Sequence, residues 1–438
     1  MKYLTIIIMP VLLLSMQTSA FTLNEAVRTA MEQRGDVAAA KNEVESSRWS
    51  RNAARTWYLP QVDFSLSYQK NHDIQEMTIP GMGSIPMGTE WASMYGITAT
   101  LPIVLQGPAG ASISSRALTL SELTLSETEQ DAVSDVIISF YGVLMAEMMS
   151  DVTSEAMNIA REGFLLAEQR FGAGTISRFE LLQSQVAYEN RRPDSIAAVV
   201  GVENARAAFA VSLGFDENHS TVIEGKLTDS FPVDLPETLE EARKIMERNN
   251  TTLATAEEMR KLGDAQVNLS AASFAPQLVF QTSYGFQAGV DDIKDITSND
   301  YSRNWSTSAS LQIPLFHGIN DLGGYQSARA ERLASYARAG EMENYASLQL
   351  VTTWNALHQA GETVQAAGST VQQAIEGSEI ARVSYEAGVI TRLDMDSAFL
   401  ALTQARTNYA SALYSLKTAE TGLARALGIL SIDPEEMN

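Results

Sequence analysis

The 438-residue chain contains no cysteine. That removes disulfides, thiolate metal ligands and thiol nucleophiles together, so stability has to come from packing and assembly. Histidine is nearly as scarce. The four present, His72, His219, His317 and His358, are scattered without the spacing of a metal site or a catalytic triad. No glycine-rich loop with lysine is there to cradle phosphate, since Gly172-Ala173-Gly174 leads out of a helical pattern and not out of a strand. Paired carboxylates abound on helical faces, but none is marked by its surroundings as an acid-base pair. These absences argue against an enzyme and leave no catalytic, cofactor or metal site to name. Basic residues are in deficit, 31 against 53 acidic, for a formal net charge of −22 that repels nucleic acid. Solvated helix faces account for most of that charge, and it is compatible with an acidic, water-filled passage favouring cations. Beyond residue 20 no continuous apolar stretch reaches about 18 residues, which excludes helical membrane spans and leaves strands as the only way across a bilayer.

The start of the chain reads as a secretory leader over residues 1–20. Lys2 precedes an apolar run from Leu4 to Leu14 that is too short for a helical span, and Thr18-Ser19-Ala20 offers small residues for cleavage before Phe21. The alternative is a short membrane anchor. No cysteine stands at the cleavage point, so no amino-terminal lipid anchor is expected.

What is present is present twice. Thr22-Leu23-Asn24-Glu25-Ala26 returns as Thr238-Leu239-Glu240-Glu241-Ala242, and Pro60-Gln61-Val62-Asp63-Phe64 as Pro276-Gln277-Leu278-Val279-Phe280. Ala173-Gly174-Thr175-Ile176-Ser177-Arg178 returns as Ala387-Gly388-Val389-Ile390-Thr391-Arg392, and Leu213-Gly214 as Leu427-Gly428. A period this long is no solenoid and means two copies of one unit. The expected layout is a first repeat over 21–214, a join over 215–236 broken by Pro232 and Pro236, a second repeat over 237–428, and a tail over 429–438 containing Pro434.

Each copy holds two segments that alternate with period two. Val62, Phe64, Leu66 and Tyr68 oppose Asp63, Ser65, Ser67 and Gln69, while Tyr95, Ile97, Ala99 and Leu101 oppose Gly96, Thr98 and Thr100. Leu278, Phe280, Thr282, Tyr284 and Phe286 oppose Gln281, Ser283 and Gln287, and Trp305, Thr307, Ala309, Leu311 and Ile313 oppose Ser306, Ser308, Ser310 and Gln312. Strands of about ten residues suit a tilted crossing of a bilayer, and small polar faces, uncharged apart from Asp63, suit a wet lumen. A soluble sheet with one wet face would alternate in the same way. The long turns at 72–90 and 287–304 suit extracellular loops, and Trp91, Tyr95, Tyr301 and Trp305 stand where an aromatic girdle belongs, against lipid. Four strands leave two open edges, which lipid forbids. Chains must therefore share a barrel, of eight strands from two or twelve from three.

The helical segments are longer than one globular core needs. From Ser112 to Phe171 there is no proline, and apolar residues from Leu118 through Val133, Phe140 and Val152 to Ile159 keep mainly steps of three or four. After the turn at Gly172 to Gly174, Thr175 or Ser177 can cap a returning helix, as Thr391 can after Gly388. The second returning helix has a seam, Leu402, Ala405, Tyr409, Ala412, Leu416, Ala419, Leu423 and Ala426, spaced as in a coiled coil. In the first, Pro193 predicts a kink or an interruption.

These features together resemble the TolC family of outer-membrane efflux and secretion channels over essentially the whole chain after the leader: the doubled leader motif, the Leu-Pro-Gln and Ala-Pro-Gln entries into strands at Pro60 and Pro276, the strand exits at Pro102 and Pro314, and the doubled helical turns. The resemblance implies a mainly α fold with membrane β. In it a shared transmembrane β-barrel, four strands per chain, continues into a long coiled-coil α-barrel with a two-fold internal repeat. It implies a homotrimer in the cell outer membrane extending into the periplasm, with an equatorial belt to which 214–239 and the tail contribute. The turns at Gly172, Gly174, Thr175, Gly388 and Val389 would be the tips that meet a periplasmic adaptor protein. An inner-membrane transporter of the RND or ABC type would supply the energy, so the channel would act passively. In relatives, acidic residues just after the second turn narrow the entrance. Asp394 matches the first, Ser397 stands at the second with Asp396 beside it, and Glu180 holds the matching place in the first repeat. Three copies of a carboxylate about one axis make a field that attracts cations. The same residues are also ordinary helix-start carboxylates favoured by the macrodipole.

The competing reading is a periplasmic adaptor-like coiled-coil scaffold, which would also carry a leader and a helical hairpin, but one hairpin flanked by small β domains where this sequence has two. A periplasmic hydrolase finds no support in the residues.

Overall fold

The computed structural model describes residues 21–81, 83–219, 221–292, 294 and 301–430. The expected leader, and all but two residues of the expected tail, lie outside them. Each copy of the doubled leader motif starts a short helix. In α1 (Leu23–Gln33) the Thr22 side chain accepts from the Glu25 N–H, and the Glu25 carboxylate accepts from the Thr22 N–H at 2.9 Å, closing a capping box. There follow α2 (Gly35–Arg55), β1 (Gln61–Lys70), β2 (Glu76–Ile79), β3 (Gly83–Pro86), β4 (Trp91–Ile103), α3 (Gln106–Gly172) and α4 (Arg178–Ser212). The second copy repeats the order without the small hairpin: α5 (Leu239–Asn249), α6 (Thr251–Ala271), β5 (Gln277–Val290), β6 (Ser302–Gln312), α7 (Asn320–Glu386) and α8 (Arg392–Leu427). The helices α3 and α7 have 67 residues each, about 100 Å of rod at 1.5 Å per residue.

The chain divides into two compact units, each with pieces of both repeats. One takes residues 42–123 and 254–343 and holds the sheet, ordered β1-β4-β5-β6 and antiparallel throughout. Its register pairs Phe64 with Ile97, Ile97 with Tyr284 and Tyr284 with Trp305, so the apolar sets of the four strands share one face. Strands β1 and β6 are its free edges among the described residues, and every residue of both is exposed. Among the described residues no layer covers the apolar face: Phe64 is 67% and Trp305 73% exposed. Two details differ from the sequence expectation. The loop at 72–90 contains the hairpin β2-β3, because Pro80-Gly81 makes a tight turn between two short extended runs. Strand β4 also runs through Pro102 to Ile103 instead of ending at the proline, whose missing donor is tolerated near a strand end.

The other unit, residues 1–41, 124–253 and 344–438, has a conventional buried core among its described residues. Ala26, Val27 and Ala30 of α1 meet Val133, Val136, Ile137, Phe140 and Leu144 of α3, with Phe209 of α4 and Leu213 at its C-cap. Ala242 and Met246 of α5 meet Leu350, Leu423 and Leu427 in a second cluster. The residues between the repeats are packed into this unit: Phe21 N–H donates to the Val222 carbonyl at 2.7 Å, and Leu227 is buried in the first cluster. The doubled Leu-Gly pairs end α4 and α8. Gly428 adopts φ +73°, and a Cβ there would stand 2.4 Å from the Asn249 carbonyl oxygen, so no other residue fits where α8 abuts the end of α5.

Two helix expectations need correction. Helix α4 is not interrupted at Pro193, which lies inside its continuous span. The hydrogen bond it forfeits would go to the carbonyl of Glu189, and both residues are exposed, where solvent can take its place. The exclusion of every helical span was also too broad. A window in α3 reaches a mean hydropathy of 1.5, apolar enough by length and composition to cross a membrane. The buried residues of α3 named above show what that apolar character does here, which is to form a helical core.

Candidate functional site

Both hairpin turns of the helical unit are built alike. At the first, the Thr175 N–H donates to the Arg170 carbonyl and the Gly174 N–H to that of Phe171, both at 2.9 Å. At the second, Val389 donates to Ser384 at 2.9 Å and Gly388 to Tyr385 at 3.0 Å. These are Schellman closures, and they require the left-handed φ of +71° at Gly174 and +74° at Gly388. The doubled glycines of the sequence are thus explained by backbone geometry. Gly172, Gly174, Thr175, Gly388 and Val389 are all exposed, and the apolar side chains beside them remain uncovered, Phe179 at 73% and Val389 at 77%.

The returning helices start differently. Ser177 caps α4 by accepting from the Glu180 N–H at 3.2 Å, and no return bond from the Glu180 side chain closes a box. Thr391 caps α8 in a complete box, with Asp394 Oδ2 accepting from the Thr391 hydroxyl at 2.7 Å and from its N–H at 3.0 Å. Those bonds, the hydroxyl's first, hold the Asp394 carboxyl below the usual carboxylate range, so it stays ionised into acid. The macrodipole reading of Asp394 therefore describes its setting within one chain. The other acidic candidates sit elsewhere. Asp396 is half-buried and accepts from Arg392 Nε at 2.8 Å, and Glu180 lines a small crevice with Tyr385 and Arg392. Within one chain the structure sets Asp396 and Glu180 each beside Arg392 and holds Asp394 in its own cap.

What it does gather is a polar cluster between the two hairpins that the sequence did not reveal. The Arg170 and Arg392 guanidinium carbons both lie 5.8 Å from the Tyr385 ring centroid, and Arg170 Nη1 donates to the Tyr385 hydroxyl at 3.4 Å. Arg392 reaches into a notch on α3 at Gly163, where an added Cβ would meet its guanidinium nitrogen. Above it, Glu155 on α3 pairs with Arg406 on α8, beside Arg191, Phe399 and Leu402. The repeat offers a faint signal for this cluster. Tyr385 stands where the first copy has Phe171, so the hydroxyl is present in one copy only. Gly163 and Arg392, far apart in sequence, share no pattern at all.

In the sheet unit, Tyr95 stacks on Phe286 at 5.3 Å and meets Tyr301 at 5.2 Å, while Trp305 meets Tyr284 edge-on at 6.4 Å. Trp91 carries Lys70 over its ring at 5.2 Å. All belong to the apolar face, and Tyr284 and Phe286 join the four aromatics expected there.

Residues 26–214 and 243–429 match the family described as outer membrane efflux protein. The chain belongs to that family. Members of the family are passive outer-membrane channels that extend into the periplasm, and they work as trimers with adaptor proteins and inner-membrane transporters. The chain is 27% identical over 335 residues, 75% of each chain, to the cobalt-zinc-cadmium resistance protein CzcC of Cupriavidus metallidurans. It is 23% identical to the alkaline protease secretion protein AprF of Pseudomonas aeruginosa over 95% of this chain and 87% of that one. Its fold is that of the CmeC outer membrane channel of Campylobacter jejuni, with TM-score 0.79 at 18% identity over 95% of this chain and 89% of the other. The mainly α fold with membrane β and the outer-membrane location are therefore those of the family, and the chain is not an enzyme.

Proposed function

We propose that three copies of this chain form the outer-membrane exit duct of a tripartite efflux pump or a type I secretion system, conducting cargo passively from an inner-membrane transporter. The observation that carries this reading is the sheet with two free edges and an uncovered apolar face. Such a sheet is stable in lipid only when β6 of one chain pairs with β1 of the next until the ring closes. Twelve strands then separate lipid from water, with Trp91, Tyr95, Tyr301 and Trp305 as interface aromatics. The two helical hairpins, α3 with α4 and α7 with α8, favour a channel over the adaptor-like scaffold, for which one hairpin is expected.

On the helical unit, the exposed turns with Phe179 and Val389 are the surface for a periplasmic adaptor of an RND or ABC transporter. Asp394, Asp396 and Glu180 supply the carboxylates of the entrance, gathered across chains by the three-fold axis. The Arg392 peg in the Gly163 notch and the Arg170–Tyr385 contact hold the two hairpins of one chain together in the resting state. The leader, the two repeats and the packed join complete a subunit that is exported before it assembles. The test is extraction and reconstitution: the protein should leave membranes only with detergent, as a complex of three chains, and should conduct ions in a planar bilayer. A water-soluble single chain contradicts the proposal.

A further inference from the structure

The polar face of the sheet carries a single ionisable side chain. Pairing across the four strands puts Asp63, Thr98, Ser283 and Ser306 in one row. Every other position on that face is glutamine, asparagine, serine, threonine or an uncharged small or apolar residue. The two remaining charged residues of these strands, Lys70 and Arg303, fall on the opposite face by alternation, and Lys70 is paired with Glu90 at 3.0 Å. Asp63 is exposed, and among the described residues its carboxylate has no ion pair and no hydrogen bond. Hydroxyl neighbours do not cancel its charge. A wall otherwise neutral thus bears one uncompensated negative charge per chain.

We infer that Asp63 determines charge selectivity in the strand-walled part of the passage, favouring cations over anions through its field and not by holding an ion. The inference rests on the proposed three-chain closure. Twelve strands about 4.8 Å apart, tilted about 40°, enclose a ring of roughly 12 Å radius. Three carboxylates projecting inward then lie about 8 to 9 Å from the axis. That is close to the Debye length of about 8 to 10 Å at 0.1 to 0.15 M salt, so their fields overlap on the axis, whereas at 1 M the length falls to about 3 Å and the centre is screened. Summed Coulomb energies at that distance in water amount to a fraction of RT per charge, enough to change the local cation-to-anion ratio by roughly two- to five-fold.

The experiment is the reversal potential of single channels in a planar bilayer under a KCl gradient around 0.1 M, repeated around 1 M. Asp63→Asn, which keeps size and shape, should lower the potassium-to-chloride permeability ratio about two- to five-fold at the lower salt. It should have a much smaller effect at the higher. Asp63→Glu should behave as the unaltered protein, and Asp63→Lys should move the ratio beyond the asparagine variant. Reversal potentials identical for the unaltered protein and Asp63→Asn overturn the inference while leaving the channel reading intact. A shift undiminished at 1 M overturns it too, because a field at this distance has to be screened. Failure of the unaltered protein to form channels would instead overturn the proposed function.

Discussion

The helical unit and the sheet unit solve the same problem in opposite ways. The first buries its apolar residues in its own core, where Val27, Val133, Ile137, Phe209 and Leu427 are fully buried. The second turns Val62, Phe64, Leu66, Tyr284 and Trp305 outward and leaves a strand unpaired at each edge. The first arrangement is stabilised by transferring apolar surface out of water. The second keeps unpaired edges and uncovered apolar residues, which the proposed three-chain barrel in lipid would satisfy. Burial patterns within one chain thus mark the surfaces that the proposed assembly covers.

The largest effect that separates the two regions should come from Leu66→Arg. A charge on the lipid face costs up to about 2 to 4 kcal/mol at the bilayer midplane, and each assembly carries three copies. Leu66→Arg should abolish membrane-inserted trimers, while Ser65→Arg, one residue along and facing the lumen, should still assemble; gel migration of unheated samples distinguishes them. Phe209→Ala is the converse. Loss of a fully buried ring costs about 3 to 5 kcal/mol, so the melting of the helical signal in circular dichroism should fall by several degrees while three-chain assemblies still form.

A subtler break is Gly163→Ala. The added methyl meets the end of the Arg392 side chain and no backbone atom of another element. Stability should hardly change, but the peg is displaced, and the resting conductance should rise. Arg392→Ala in the unaltered background should reproduce it.

Two further effects sharpen the helical side alone. Tyr141 is pushed up to about 12, first by burial and then by the carboxylates of Glu420 and Asp229, while Lys417 lies over its ring at 5.6 Å. A phenol whose folded pKa exceeds its unfolded value of 10.0 contributes stability in full below pH 10 and loses it as pH rises through 12. Tyr141→Phe should therefore remove one tyrosine's share of the tyrosinate absorbance that develops late in an alkaline titration. The smallest expected effect is at Asp394. Asp394→Ala should lower cation preference or divalent block at the periplasmic entrance, and its carboxylate should keep its charge below pH 3.8 because its folded pKa is depressed. Unchanged selectivity and block in planar bilayers would remove it from the entrance.

Much of this was legible in the residues because it depends on local periodicity. All four sheet strands, the paired long helices and the glycines of both tip turns follow from alternation, from steps of three and four, and from the left-handed closures at Gly174 and Gly388. The cap at Thr391 was equally readable, since a threonine three residues before an aspartate suits a capping box. Less of the site was visible. Whether Asp396 is paired depends on Arg392, and where Arg392 goes depends on Gly163 in another helix, a contact no local pattern encodes. The continuity of α4 through Pro193 depends on exposure as well as on the ring, and Pro80-Gly81 was read as a loop because two four-residue strands are too short to show alternation.

The most direct test of the central claim uses the absence of native cysteine. One cysteine placed on β1 at Ser67 and one on β6 at Ser306, treated in intact membranes with a short bifunctional thiol reagent, should join chains into a ladder ending at three, and all three should migrate as one detergent-extracted complex. Monomers alone, or a ladder ending at two, would contradict a barrel shared by three chains.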